Sequence, residues 1–470
     1  MADLGARLPL VNKLLYASDM VGSQTVANTR SLWLLFFLAP PATSGLPTLV
    51  PSLDLGILQM DPRVFAGVLL TVGRVVEAFD DPLIGWWSDR FKSRWGRRIP
   101  FVLVSTPFYA IFFALLWFTP GGDAGVVSAV YVFLVVELFF LANTFSAGPY
   151  EAILPEIARS HHDRMSLVAW QLYFGLIGVV LGLGLSGIVK DVFDFKVMGI
   201  TAAVFGIVFR YVGLWGVWRK APRETPAAQL SLWLAFSSTL RNKQFLYFLP
   251  TFVLYQTAVG MVIAWLPFFV PAAIGEIQVW RWVPAFGDQI LGSGSLTSIL
   301  GLAAVLGIAV GALILWKLSN TKTKRWVYRI SLLGTAIYLP GLFFAGFIPV
   351  VPKLIQGMGM AFLAGIPMAG VNLLPKAITA DITDYDEMRT GMRREAMFYA
   401  TQNLFEKIGS SLAPLLLGVI LLLGDSTDDS LGIRVMGPVA GLIVFIGFWL
   451  FQGYRLPSTV TRENVKAAGL

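Results

Sequence analysis

The stretch "RVVEAFDDPLIGWWSDRFKSRWGRRIPF", Arg74–Phe101, decides how the chain is read. Three carboxylates, Glu77, Asp80 and Asp81, stand in an apolar run that begins near Pro62. The run closes on a basic turn with Arg90, Lys92, Arg94, Arg97 and Arg98, and a second apolar run opens near Ile99. Apolar runs of about 20 residues joined by short basic turns are the pattern of helices that cross a bilayer. A charge at mid-bilayer costs about 2.5–3.5 kcal/mol, so several together require partners or a function.

The rest of the chain agrees. Of 470 residues, 56% are hydrophobic and 14% charged, and the mean hydropathy is +0.70. Soluble domains carry about 25% charged residues. Apolar runs start near Leu14, Pro62, Ile99, Val126, Ser166, Val197, Phe245, Leu296, Val327, Leu354, Glu395 and Arg434. They predict an all-α membrane protein of twelve transmembrane helices. No stretch between them is long enough for a soluble catalytic or nucleotide-binding domain. Cysteine is absent, and both histidines, His161 and His162, stand in one polar loop, so neither a thiolate nucleophile nor a metal site is expected. The start "MADLGARLPLVNK" lacks the pattern of a cleaved signal peptide.

The net charge of +8 is distributed by topology, not for nucleic acid. Arginine and lysine crowd into the even-numbered connections, and the odd ones hold Lys190, Lys196, Arg281 and Lys353. By the positive-inside rule both termini are expected in the cytoplasm of a cell-membrane protein. The polar segment "RKAPRETPAAQLSLWLAFSSTLRNKQ", residues 219–244, divides the chain into six-helix halves over 1–218 and 245–470. A basic turn follows the second helix of each half, strong in the first and weaker in "GALILWKLSNTKTKRW", Gly311–Trp326. Parallel halves of this kind are the major facilitator architecture, with substrate held between them near the midplane. The run "GLIGVVLGLGLSG", Gly175–Gly187, spaces small residues for close helix packing, which a rocking interface also uses.

Glu77 and Asp81 are four residues apart and share a helix face with Arg74 one turn earlier. They read as a cation site, Na+ or H+, or as a structural salt bridge to an arginine. Asp89, Arg90, Arg97 and Arg98, with Arg74, form a candidate inner gate that also anchors topology. In the fourth span "ANTFSAGPYEAILPEI" sets Asn143, Thr144, Tyr150 and Glu151 around Pro149. Lys407 lies too deep in "FYATQNLFEKIGSSL" to snorkel, so it is expected to meet a carboxylate or an anionic part of the substrate. Asp19, Gln24, Gln171 and Gln256 add candidate hydrogen-bonding groups for a substrate. The run "ADITDYDEMRTGMRRE", Ala380–Glu395, reads as a solvated loop, or as a partner for the basic turn of the other half.

Three segments carry a resemblance: "RVVEAFDDPLIGWWSDRFKSRWGRR", "GPYEAILPEI" and "ADITDYDEMRTGMRREAMFYATQNLFEK". With them most of the chain resembles the glycoside-pentoside-hexuronide:cation symporters of the major facilitator superfamily, of which melibiose permease is the familiar member. The resemblance implies alternating access coupled to sodium, proton or lithium. It places Glu77 and Asp81 with Thr144 at the cation and Lys407 on the eleventh helix. Where the galactoside-carrying member has two aspartates and an arginine around the sugar, this chain has Gln24, Ala147 and Leu172, so that grip is not preserved. Asp19, Glu151 or Gln171 can substitute from neighbouring turns. The lysophospholipid symporters are relatives in the same family, so the expected substrate is a sugar or glycoside, with an amphipathic or anionic molecule such as lysophospholipid as the alternative. No catalytic residues and no cofactor are expected, because neither a nucleophile constellation nor a phosphate-binding G-x-x-x-x-G-K-[ST] loop is present, and the expected working unit is a monomer.

Overall fold

The computed structural model describes all residues except 1–7, 55–58, 92, 121–124, 159, 219–238, 276, 279–289, 320, 392–393, 427–428, 458–459 and 468–470; nothing is described of the side chains at 54, 82, 86, 89, 155, 161, 277, 278, 290, 291, 319, 396, 462, 466 and 467. Twelve helical spans stand out among the described residues. In the first half they are α1 (Leu10–Leu38), α2 (Pro62–Arg90), α3 (Ile99–Leu115), α4 (Val126–Glu151), a span broken into α6 (His161–Val179) and α7 (Ser186–Val192), and α8 (Phe195–Val217). A one-turn helix, α5 (Leu154–Ile157), follows α4. In the second half they are α9 (Lys243–Phe269), α10 (Ser293–Ser319), α11 (Lys324–Tyr338), α12 (Lys353–Leu373) running into α13 (Pro375–Thr390), α14 (Glu395–Ile420) and α15 (Leu431–Leu450). Nine of these spans are long and apolar enough to cross a membrane by length and composition, and α3 is a shorter apolar helix. Two two-stranded antiparallel ribbons, Leu53–Asp54 with Gln59–Met60 and Ile277–Gln278 with Ile290–Leu291, occupy loops.

Polar caps start the helices where the apolar runs begin. Ser160 accepts from the Asp163 N–H, Asp194 from Val197, Asn242 from Gln244 and Phe245, and Thr323 from Trp326. Each satisfies backbone donors that the first turn leaves open. The span of α6 and α7 is joined by a π-helical turn at Val180–Leu185, inside the glycine-rich run.

The described chain packs as two compact units, one of Met1–Pro40, Pro47–Pro62 and Val72–Gln229, the other of Pro41–Leu46, Arg63–Thr71 and Leu230–Leu470. In the first unit α1 packs on α8 and α6, and α3 on α4 and α8. In the second, α9 packs on α15 and α14, and α11 on α12 and α15. These are the same four pairings by position within each half, so the faint repeat in the sequence corresponds to a repeat in packing. Most of the expected linker, 219–238, lies outside the described residues.

One sequence expectation is corrected. Ala380–Glu395 is not a solvated loop, because α13 runs to Thr390 and buries Asp381 and Asp386. Pro375 at the start of α13 lacks an N–H to continue α12 but fits the first turn of a new helix. The two carboxylates find cations in their own half. Lys324 Nζ lies 2.7 Å from Asp381, and Arg394 2.6 Å from Asp386.

Candidate functional site

The acidic face of α2 is closed by α4. Gly73 permits the contact: a Cβ there would lie 2.9 Å from Val136 Cγ1 and 3.1 Å from Glu137 Oε1. Beside it Glu77 is fully buried. Its Oε2 is 2.6 Å from Arg74 Nη1, and its Oε1 accepts from Asn143 Nδ2 at 3.2 Å. The salt-bridge alternative is therefore realised for Glu77 in this conformation. The arginine keeps part of its side chain exposed, 22%, so the pair is buried on the carboxylate side and open on the cation side. Thr144, next to Asn143 on α4, is buried, and its hydroxyl oxygen has no hydrogen-bond partner among the described residues. Asp81, one turn after Glu77, is half-buried. Glu137 also keeps a buried oxygen without a hydrogen bond among the described residues. The structure thus brings Glu77 together with Asn143 and Arg74, on the segment of α4 that also carries Thr144.

Two residues grouped with substrate binding in the sequence, Asp19 and Tyr150, are held by partners within the first unit. Asp19 pairs with Arg210 Nε at 2.5 Å, both side chains 3% exposed. Ser23 Oγ donates to Asp19 and accepts from Arg210 Nη2, while Arg210 Nη1 donates to Ser146 Oγ, which meets Thr106. Tyr150 is fully buried, stacks on Tyr16 at 4.7 Å, and the two hydroxyls donate to each other's backbone carbonyls. This network ties α1, α3, α4 and α8, and Asp19 and Arg210 neutralise each other within it. Gln24 and Gln171 are half-buried on α1 and α6, with Gln24 Oε1 accepting from Asn28. Glu151 ends α4 on an exposed face. In the second unit Gln256 Nε2 donates to Glu406 Oε1 at 2.8 Å, joining α9 to α14 one residue before half-buried Lys407.

Two arginines of the basic turn, Arg97 and Arg98, have partners within the first half. Arg97 reaches Glu156 on α5 at 2.5 Å, while Arg98 lies 3.4 Å from Glu156 and donates to the Ala152 carbonyl. Arg90 is exposed at the end of α2, and the Asp89 side chain lies outside the described residues. Arg74, grouped with the gate in the sequence reading, does not belong to this turn. It stands sixteen residues before Arg90 on one continuous helix, about 24 Å at 1.5 Å per residue, and it pairs with Glu77. Lys324–Asp381 occupies the equivalent position in the second half, from the basic turn to the helix after the fourth span.

Sequence reasoning missed two cations. Arg210 sits in the middle of α8, and Arg30 twenty residues into α1. Their signal was depth alone: each is an arginine far from either end of an apolar run. The Arg30 guanidinium lies over the Phe140 ring at 4.9 Å and near Phe139 at 5.8 Å.

The helix order and repeated packing define the major facilitator fold. The solved nucleoside transporter NupG, as a point mutant, superposes with a TM-score of 0.66 at 13% identity, covering 95% of this chain and 99% of that one. A bacterial homologue of the human lysosomal transporter Spinster, inward-facing and unoccupied, gives 0.62 at 12% identity, with 95% and 96% covered. A family model described as MFS/sugar transport protein matches residues 15–431, and the chain belongs to that family. An uncharacterized symporter of Synechocystis is 24% identical over 88% of this chain and 86% of its own length. A Salmonella typhimurium protein named provisionally as a sulfoquinovose importer is 24% identical over 89% of this chain and 82% of that protein. The sodium-dependent lysophosphatidylcholine symporter 1 of chicken is 30% identical over 38% of this chain and 31% of that protein.

Proposed function

We propose that the protein is a cation-coupled symporter of the cell membrane, moving a sugar or glycoside inward with Na+ or H+ by alternating access. The observation that carries this reading is Glu77, a fully buried carboxylate between a partly exposed Arg74 and Asn143, with the unpartnered Thr144 hydroxyl on the same stretch of α4. A hard cation bound there takes oxygens from Glu77, Asp81 and Thr144 and releases Arg74; a proton on Glu77 has the same electrostatic effect. Substrate loads near the midplane with Lys407, Gln256 and Gln171 as polar groups, and both solutes leave after the halves, 1–218 and 245–470, rock. Both termini, and the basic turns that hold the inner face closed, lie in the cytoplasm, and the working unit is a monomer. A lysophospholipid is the second reading, supported by the chicken relative, whose identity is the highest of the three although it covers 38% of the chain.

The test is uptake into proteoliposomes. Radiolabelled glucoside, 6-sulfohexose and lysophosphatidylcholine are offered under an imposed Na+ gradient, an imposed pH gradient, or neither. Concentrative uptake of one of them that follows one gradient and is lost in Glu77→Gln supports the reading. Uptake that ignores both gradients overturns it.

A further inference from the structure

We infer that Arg30 and Arg74 form an oxyanion clamp for the substrate, armed when the coupling cation occupies Glu77. The inference rests on the symport reading of the Glu77 site and adds to it the chemical class of the cargo. Both guanidiniums address the same ring: Arg30 lies 4.9 Å from the centre of Phe140, and Arg74 5.1 Å. Their carbons are therefore no more than about 10 Å apart. Arg74 and Glu77 are the charged pair near Arg30, and Tyr109 also stands near it. No ion pair or hydrogen bond engages its guanidinium among the described residues, whereas Arg74 is bound to Glu77 at 2.6 Å. Glu137 makes no ion pair with Arg30 among the described residues.

Asp80, Asp81 and Glu137 add negative charge near Glu77, but none forms an ion pair with Arg30 among the described residues, so the Arg30 donors are left for an anion to complete. Guanidinium is the side chain suited to this: its planar fork donates two parallel hydrogen bonds to a carboxylate, sulfonate or phosphate, and its faces stack on aromatics. Stacking both forks on Phe140 holds them in place without using their N–H donors. The link to the cation follows from Glu77. While its carboxylate is bare, Arg74 answers it. Once a cation or proton neutralises Glu77, Arg74 is released and joins Arg30 around the incoming anion. Cation and anion then favour each other's binding without touching, which is the reciprocity a symporter needs.

The experiment measures equilibrium binding to the purified full chain in lipid nanodiscs, so that it does not depend on transport. The probes are a hexose carrying a 6-sulfonate, glucuronate, neutral glucose, and lysophosphatidylcholine, each with and without roughly 100 mM Na+ (choline replacing it) and at two pH values. The clamp predicts that an oxyanion-bearing probe binds at least about tenfold tighter than glucose, and tighter when Na+ or acid is added. Arg30→Gln removes that preference, and Arg30→Lys, which keeps charge but loses the fork, retains part of it. Glu77→Gln binds the anion well without added cation. If the phosphate of lysophosphatidylcholine, not a sugar acid, shows the Arg30 dependence, the clamp stands and the cargo is a lipid. Equal affinity of wild type for glucose and the acids, absence of binding by every oxyanion probe, or a folded Arg30→Gln protein that binds anions as wild type does, overturns it. Failure of symport is seen separately: binding that keeps its Arg30 dependence but ignores Na+, pH and Glu77→Gln retains the clamp's anion site and removes its coupling.

Discussion

Arg74 Nη1 lies 2.6 Å from Glu77 Oε2, one helical turn along α2, with Glu77 fully buried and Arg74 partly open. A pair of this shape has a replaceable member. The carboxylate has been taken out of water and must be neutralised, while the cation that neutralises it can still be exchanged for another. On the proposed symport reading, Arg74 and a dissolved cation compete for this one carboxylate.

That competition is measurable by thermal unfolding in detergent. A ligand that binds the folded state raises its stability by RT ln(1 + [L]/Kd), so the coupling ion should raise the melting temperature. Arg74→Gln removes the internal competitor, and the ion-induced shift should grow, consistent with roughly tenfold tighter binding. Glu77→Gln should abolish the shift. An Arg74→Gln protein whose response to Na+ and to pH matches wild type would show that the arginine does not occupy the ion's place.

Asp19 and Arg210 make the opposite kind of pair, with both side chains 3% exposed and Ser23 and Ser146 completing the donors. Breaking such a pair by removing one partner typically costs about 3–5 kcal/mol, because the other charge is left buried. Asp19→Ala should therefore lower stability strongly, and the double variant Asp19→Leu with Arg210→Met should recover most of it. Substrate affinity in the double variant should stay within a few-fold of wild type. A folded double variant that has lost substrate binding would return Asp19 to the substrate site.

The second half offers a charge-swap test. Lys324 meets both oxygens of Asp381, at 2.7 and 2.9 Å, with 38% of the lysine and 11% of the aspartate side chain exposed. The partial exposure keeps the pair's contribution to stability near that of a surface bridge, about 1 kcal/mol or less. Asp381→Lys should slow transport more than it destabilises the fold, and adding Lys324→Asp should restore much of the rate. Uptake rates of the single and double variants, beside their melting temperatures, decide it: no rescue by the swap would mean that the contact is incidental.

Much of the architecture was legible because it follows from one-dimensional physics. Apolar run length and the placement of arginine and lysine gave every span start to within five residues, from Leu14 against Leu10 to Arg434 against Leu431. What escaped depends on partners across the bundle. No local signal distinguishes Asp19, committed to Arg210 from a helix nearly 200 residues away, from a carboxylate open to a ligand. Charge density made Ala380–Glu395 look solvated, because the cations that neutralise Asp381 and Asp386 come from Lys324 and Arg394, one on another helix and one beyond the end of α13. Arg30 was overlooked because the run around it is otherwise ordinary, and its importance comes from Phe140 on α4.

The glycine-rich run of α6 gives a test with its own control. A Cβ on Gly178 would stand 2.5 Å from the Val21 carbonyl oxygen and 2.7 Å from Gln24 Cβ, so α1 and α6 cannot hold their separation around it. One turn earlier, a Cβ on Gly175 would meet Gln24 Cγ at 3.8 Å, an ordinary contact. Gly175→Ala should be neutral or stabilising, since alanine favours the helix by about 1 kcal/mol relative to glycine. Gly178→Ala forces backbone apart and should destabilise by about 1–3 kcal/mol, the usual cost of overpacking. The two variants differ by one turn and the same methyl group, so comparing their melting temperatures isolates the close approach from helix propensity. Equal melting temperatures would mean that α1 and α6 are free to separate at this level, as a sliding contact would allow and a fixed one would not.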